Sequence, residues 1–190
     1  MNIKETIQDS IDVKRKILQD EEMIRQIQQA ASICIDTLKA GGKILLCGNG
    51  GSAADAQHIA AELSGRFIKD RKPLFAEALH VNTSFMTAVA NDYGYDAVFE
   101  RMVEASGRKG DILIALSTSG NSPSILRAAD KARDVGMKAI GMTGATGGSL
   151  AGRCEICLKV PSGITARIQE SHILIGHILC GQIEEALFPE

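Results

Sequence analysis

Tryptophan is absent from the sequence, and aromatic residues together make up only 4% of its 190 positions. That scarcity argues against the stacked aromatic platforms that hold single-stranded bases. Neither sign of charge is in excess: 21 Lys and Arg stand against 23 Asp and Glu, a net −2. A basic patch of the kind that announces nucleic-acid binding is therefore not expected. No apolar run approaches the roughly 20 residues needed to span a bilayer. No signal peptide precedes the first helical pattern, so a cytoplasmic protein is expected. The G-x-x-x-x-G-K-[ST] pattern is missing too, which argues against nucleoside triphosphate hydrolysis. Cysteine is present five times, an odd number. Cys34, Cys47 and Cys180 lie in apolar runs, as small buried hydrophobes do in a reducing compartment. Cys154 and Cys157 form a C-x-x-C, but a zinc ribbon needs a second such pair. CEICLKV reads as a strand, in which positions three apart face opposite sides.

With 45% apolar residues the chain is long enough for one domain with an ordinary core. Two helical patterns fill residues 3 to 39. Ile3, Ile7 and Ile11 repeat at four, and Ile24, Ile27, Ala31, Ile35 and Leu38 at three and four. Gly41 and Gly42 stop the second. So much amphipathic surface exceeds what one sheet face needs, and part of it is expected to meet another subunit. An intramolecular hairpin lying on the sheet is the alternative.

Lys43 to Arg66, KILLCGNGGSAADAQHIAAELSGR, organises the rest. It reads as a buried strand, a turn at Gly48, Gly50 and Gly51, and an alanine-rich helix. Ser52 and Asp55 supply an S-x-x-D helix start. Unpaired N–H groups and the positive end of the helix dipole then make an anion site. His58 and Glu62 share one face of that helix. After it, KDRKP reads as a polar turn and FAEALH as a strand. Thr83–Ala90 reads as a helix, Asn91-Asp92-Tyr93-Gly94 as a turn, and Tyr95–Ser106 as a helix. GDILIALSTSGNSPSI repeats the opening logic: strand Ile112–Leu116, a hydroxyl-rich loop, then a helix with Ser122 as N-cap and Pro123 first. Strands at Lys138–Met142 and Cys154–Val160 follow. A long helix, Thr165–Leu187, carries Arg167, Gln169, Glu170, His172 and His177. This alternation predicts an α/β sandwich with a mainly parallel sheet. Both loops should face one crevice at the strands' carboxyl ends.

The first loop also satisfies G-x-G-x-x-A of dinucleotide folds, through Gly48, Gly50 and Ala53. That reading wants an acid after the second strand, where His80, Val81 and Asn82 stand. It also leaves Ser117, Thr118, Ser119 and Ser122 unexplained, whereas hydroxyls at a helix N-terminus suit a phosphate monoester. Ser122 is fully accounted for as a cap; Ser117, Thr118 and Ser119 are not. Gln169 and His177 lie eight apart, on nearly one face of the last helix, while His172 points elsewhere. With His58 and Glu62 they would suit zinc or another divalent ion. On residues alone, metal-binding and structural readings both stay open.

GNGGSAADAQHIAAELSGRF, the ANDYG turn, STSGNS and TARIQESHILIGH together resemble the phosphoheptose isomerases, which carry a sugar isomerase (SIS) fold. The resemblance runs over nearly the whole chain. It implies one SIS domain over residues 1–190, a flavodoxin-like three-layer sandwich with a five-stranded parallel sheet. Residues 1–39 would be a helical pair for oligomerisation and 40–190 the α/β core. It further implies a homotetramer with active sites between subunits and one Zn2+ per site, held by His58, Glu62, Gln169 and His177. Glu62 and His177 would be the catalytic acid/base pair. Sugar-phosphate contacts would fall to Asn49, Gly50, Gly51, Ser52, Glu62, Arg66, Asn91, Asp92, Ser117, Thr118, Ser119, Ser122 and Gln169. Some members carry Asp where this chain has Ala166, so no role of that Asp is carried over. The implied reaction isomerises sedoheptulose 7-phosphate to D-glycero-D-manno-heptose 7-phosphate, toward bacterial ADP-heptose and lipopolysaccharide core. The alternatives are an isomerase of another sugar phosphate, or a non-catalytic SIS-fold binding protein. Of the latter type, the DnaA initiator-associating proteins keep the serine loop but lose the positions of Glu62 and His177.

Overall fold

The computed structural model describes residues 2–189. In chain order it contains α1 (Ile3–Gln19), α2 (Glu21–Lys39), β1 (Ile44–Cys47), α3 (Gly51–Ser64), β2 (Ala76–Ala78), α4 (Thr83–Tyr93), α5 (Val98–Ser106), β3 (Ile112–Ser117), α6 (Pro123–Asp134), β4 (Lys138–Thr143), β5 (Ile156–Lys159) and α7 (Thr165–Leu187). The five strands pair in parallel in the order β2-β1-β3-β4-β5. Ile44 lies opposite both Ala76 and Ile112, which fixes the central register. Because helices cover both faces, the strands are apolar almost throughout. Ile44, Leu46, Ile112, Ile114, Leu116, Ile140, Met142, Ile156 and Leu158 point to one face. Leu45, Cys47, Leu113 and Ala115 point to the other. The expected three-layer α/β sandwich is what forms.

On the first face lie α2, α3 and α7. Met23, Ile27, Ala30, Ala31 and Cys34 of α2 enter one core with Ile59, Ile175 and Leu179. The helix is therefore part of the sheet's cover, as the hairpin alternative has it. Helix α1 is anchored through Val13 and Ile17 and leaves Ile3, Ile7 and Ile11 exposed. Helices α4, α5 and α6 cover the second face, with Phe99 fully buried among Val103, Ile125 and Ala129.

Four local expectations are corrected. Ser52 does not open α3: the N-cap is Gly50, and Ser52 is buried in the first turn. Asn91 and Asp92 belong to the last turn of α4, and the chain turns only at Gly94, whose φ is 83°. Cys154 precedes β5, so strand alternation does not reach back to it. Both Cys154 Sγ and Cys157 Sγ lie within 3.3 Å of where a Cβ on Gly141 would stand, on one side and not two. Burial pushes the Cys154 thiol to about 12 and Cys157 upward as well, so neither offers a ready thiolate.

The fourth correction concerns KDRKP, which is more than a polar turn. Arg71 is buried and donates from Nε to Glu184 Oε2 at 2.9 Å. Its Nη1 is shared among the carbonyls of Leu63, Gly65 and Lys72, and its Nη2 donates to that of Glu62. Glu184, only 2% exposed, also accepts from the backbone N–H groups of Phe67, Ile68 and Lys69. This clasp ties the segment after α3 to the end of α7.

Burial alone would raise the Glu184 pKa, but the three N–H donors and Arg71 outweigh it and hold the carboxyl below its ordinary value. A depressed folded pKa contributes stability above the unfolded pKa and loses it as pH falls through the folded one. Glu184→Gln leaves Arg71 buried without its counter-charge and should cost about 3–5 kcal/mol at neutral pH. The gap from wild type should narrow in urea titrations run below about pH 4, the ordinary Glu range. A gap that stays constant with pH would mean the carboxylate charge is not what stabilises the clasp.

Candidate active site

Strand order reverses between β1 and β3, and the loops that follow these two strands open on one crevice. The first is built by close approach. A Cβ at Gly48 would stand 2.3 Å from the Ser52 carbonyl oxygen, and Gly50 adopts φ 55°. Only glycine meets both conditions at low cost. Gly51 then begins α3 with its side-chain position taken by the Gln169 amide, whose Nε2 lies 2.6 Å from a hypothetical Cβ. Gln169 thus sits at the head of α3, beside the N–H groups of its first turn.

Helices α3 and α7 run alongside each other in the same direction, with Gln169 beside Gly51 and Gly176 against Ile59. The shared direction places His177 beside His58: their Nε2 atoms are 3.4 Å apart. His58 Nε2 is also 3.0 Å from Glu62 Oε1. One ligand atom from each of His58, Glu62 and His177 lies within 4.8 Å of the others. Two imidazoles and a carboxylate so arranged are a donor set suited to a divalent metal such as zinc. The Phe67 ring stacks on His177 with centroids 5.6 Å apart, and the Glu184 clasp holds the Phe67 backbone. Asp55, read from sequence as a helix start, instead lies one turn before His58 on the same side. Its Oδ2 is buried with no hydrogen-bond partner among the described residues. Burial raises its pKa, with His58 pulling the other way.

His172 is fully buried and bonds through Nε2 to the Thr143 carbonyl at 3.2 Å. Burial lowers its pKa to about 4, so it is a neutral tie between α7 and β4.

In the second loop Ser117 is buried, Thr118 half-buried and Ser119 exposed. Ser119 Oγ accepts from Asn121 N–H, and its own hydrogen has no acceptor among the described residues. Ser122 stands at the N-cap of α6 but makes no side-chain cap bond among the described residues. It accepts instead from Asn49 Nδ2 at 2.8 Å, so the residue expected to be only a cap joins the two loops. A cleft of about 320 Å³ beside the loop is lined by Thr118, Ser119, Gly144, Thr146, Ser162 and Thr165. A larger one, about 660 Å³, lies near the far end of α7 between Ile68, Ile178 and Glu184, away from the loops. Arg66 stands exposed after α3, and Asn91 bonds to Asp92 at the exposed end of α4. Among the described residues no hydrogen bond joins these three to the trio.

The SIS domain family matches residues 8–144. The phosphoheptose isomerase of Aneurinibacillus thermoaerophilus is 54% identical over 186 residues, 98% of this chain and 94% of that protein. The chain belongs to the phosphoheptose isomerase family. Two solved phosphoheptose isomerases superpose over nearly its whole length. That of Neisseria gonorrhoeae has a TM-score of 0.91 and 42% identity, covering 96% of this chain and 97% of its own. That of Francisella tularensis has a TM-score of 0.92 and 40% identity, covering 96% of each. The SIS match ends before α7, so the phosphoheptose isomerase relatives are what span Gln169 and His177 as well.

Gly176 sets the distance between α3 and α7, since a Cβ there would meet Ile59 Cδ1 at 2.4 Å. Gly176→Val should separate His177 from His58 and Glu62 while leaving α7 helical by circular dichroism. If the trio holds a divalent ion, affinity for added zinc, read by competition with a chromogenic chelator, should fall about 10–100-fold, as when support around metal ligands is lost. Unchanged affinity would show that the trio is not the metal site.

Proposed function

We propose that this chain interconverts sedoheptulose 7-phosphate and D-glycero-D-manno-heptose 7-phosphate by an enediolate mechanism, using one zinc per subunit. The observation that carries this reading is two chemistries set along one pair of packed helices. Hydroxyls and helix N-termini for a phosphate lie at the strand ends, and His58, Glu62 and His177 lie further along α3 and α7.

The N-terminal turns of α3 and α6, with Thr118, Ser119 and Ser122, hold the phosphate and so the open-chain sugar. Moving the carbonyl from C2 to C1 requires a proton off C1 and a proton onto C2. Glu62 takes and returns that proton at carbon, and His177 moves protons between the two oxygens. Zinc would be held by His58, Glu62 and His177, with Gln169 as fourth ligand once its side chain turns from Gly51 toward the trio, and it would supply Lewis-acid stabilisation of negative charge developing on oxygen. A carboxylate bound to metal is a weaker base, so Glu62 would have to alternate between holding the ion and taking the proton. Arg66, Asn91 and Asp92 complete the sugar contacts in an assembled site.

Homotetramer formation with sites between subunits accounts for Ile3, Ile7 and Ile11 on α1, and Leu174 and Ile178 on α7, being exposed. Sedimentation equilibrium reads that assembly directly. Residues 1–39 serve it through α1, and the rest of the SIS domain carries the chemistry. The product enters ADP-heptose and lipopolysaccharide core synthesis in the cytoplasm. A non-catalytic role of the DnaA initiator-associating type is disfavoured because Glu62 and His177 are both present.

Assay with sedoheptulose 7-phosphate, with and without added zinc, tests the reading. Glu62→Gln and His177→Asn should each lower kcat by at least about 10²–10⁴-fold, the usual contribution of a general acid or base. Near wild-type kcat with zinc bound would remove that residue from the chemistry. Turnover in D₂O should place deuterium at C2 of the aldose. Complete recovery of a C1 hydrogen label at C2, in single turnovers across a range of pH, would instead mean a hydride shift.

A further inference from the structure

The Asn49 side chain is engaged at both ends. Its Nδ2 donates to Ser122 Oγ at 2.8 Å and to Ser124 Oγ at 3.1 Å. Its Oδ1 accepts from the Tyr95 hydroxyl at 2.7 Å. Tyr95 follows Gly94 and begins the short turn before α5, and its ring meets the buried Phe99 edge-on at 6.5 Å. The ring is half-exposed and rests edge-on against Phe99, while the hydroxyl reaches 46 residues back to the first loop.

An amide has a donor end and an acceptor end, so fixing one end fixes the other. With Oδ1 on the Tyr95 hydroxyl, both Nδ2 hydrogens are directed at the serines. Ser122 and Ser124 are then acceptors toward Asn49. Ser124 is buried and its Oγ lies 3.3 Å from Ser122 Oγ; either hydroxyl can donate across that pair, and we take the buried Ser124 as the donor, since Ser122 alone faces the loop. The Ser122 hydrogen is left over at the N-terminus of α6, beside the Ser124 N–H; the Ile125 and Leu126 N–H groups go to the Ser122 carbonyl, and Pro123 has none. The flipped amide would draw the Ser122 hydrogen inward and turn a lone pair toward any bound anion. Burial raises the Tyr95 pKa, which keeps the phenol protonated and donating at neutral pH.

We propose that Tyr95 is a positioning residue for phosphate recognition: through Asn49, its hydroxyl makes Ser122 a hydrogen-bond donor to the phosphate group of the substrate. The relay Tyr95–Asn49–Ser122 also couples the segment after α4 to the phosphate loops. It rests on the reading that the serine loop binds phosphate, and the experiment separates the two.

Inorganic phosphate is titrated calorimetrically into wild type, Ser122→Ala, Tyr95→Phe and the double variant, and KM and kcat are measured for each. Losing a hydrogen bond to a charged group, Ser122→Ala should weaken phosphate binding about tenfold to a hundredfold. Tyr95→Phe keeps the ring packing and should weaken binding about three- to tenfold, raising KM with kcat unchanged. The double variant should bind no more weakly than Ser122→Ala alone, because both changes break one chain of bonds. Wild-type phosphate affinity in Tyr95→Phe, beside a weakened Ser122→Ala, overturns the relay and leaves the phosphate loop standing. Additive losses also overturn it, by placing Tyr95 on a separate route. Full affinity in Ser122→Ala, or no phosphate binding by wild type, overturns relay and phosphate loop together.

Discussion

The close parallel contact of α3 with α7 is the constraint on which the site depends. Gly176 permits it by offering Ile59 a surface with no side chain. A glycine inside a helix costs up to about 1 kcal/mol relative to alanine, and here the cost is offset by what the approach brings together. His58, Glu62 and His177 come from two segments more than a hundred residues apart, yet their ligand atoms fall within 4.8 Å. The same direction of travel sets Gln169 against Gly51 at the other end of the contact. Two helices packed in opposite directions would exchange those neighbours and separate the histidines.

Support for that contact comes from the buried Arg71–Glu184 pair. Taking two charges out of water is unfavourable unless every donor and acceptor is used. Here Glu184 receives three backbone N–H groups, and Arg71 serves four carbonyls. One of those carbonyls is that of Glu62, and one of the N–H groups is that of Phe67, whose ring stacks on His177. The clasp therefore reaches two members of the trio without itself lying among them.

What could be read in the sequence was what local periodicity encodes. The strands at 44–47 and 112–117 are short Ile- and Leu-rich runs, that at 138–143 is a mixed apolar one, and the last helix keeps its pattern from Thr165 to Leu187. His58 and Glu62 were visible as a pair because an i,i+4 spacing needs nothing but a helix. Other features depended on tertiary partners. Arg71 looked like one more surface charge, since Glu184 lies 113 residues away. Ser122 looked like a cap, since nothing local reveals that Asn49 claims its oxygen. Tyr95 and Phe67 gave no signal, because each acts through a contact made only once the sheet has brought distant loops together. The boundary at Asn91 was missed for a different reason: both Asn91 and Asp92 are turn formers, yet the helix persists until Gly94 supplies a positive φ.

On the proposed reading, helix α3 carries a phosphate site at its head and the trio along its flank. Gly51 and His58 are separated by seven residues, about 10 Å of rise, which side chains leaning toward the N-terminus shorten. A rigid element between two anchoring points is a ruler. A sugar phosphate too short for it can seat its phosphate or bring its carbonyl to the trio, but not both at once. Chain length would then be selected by the pitch of a helix, with no wall needed at the end of a pocket.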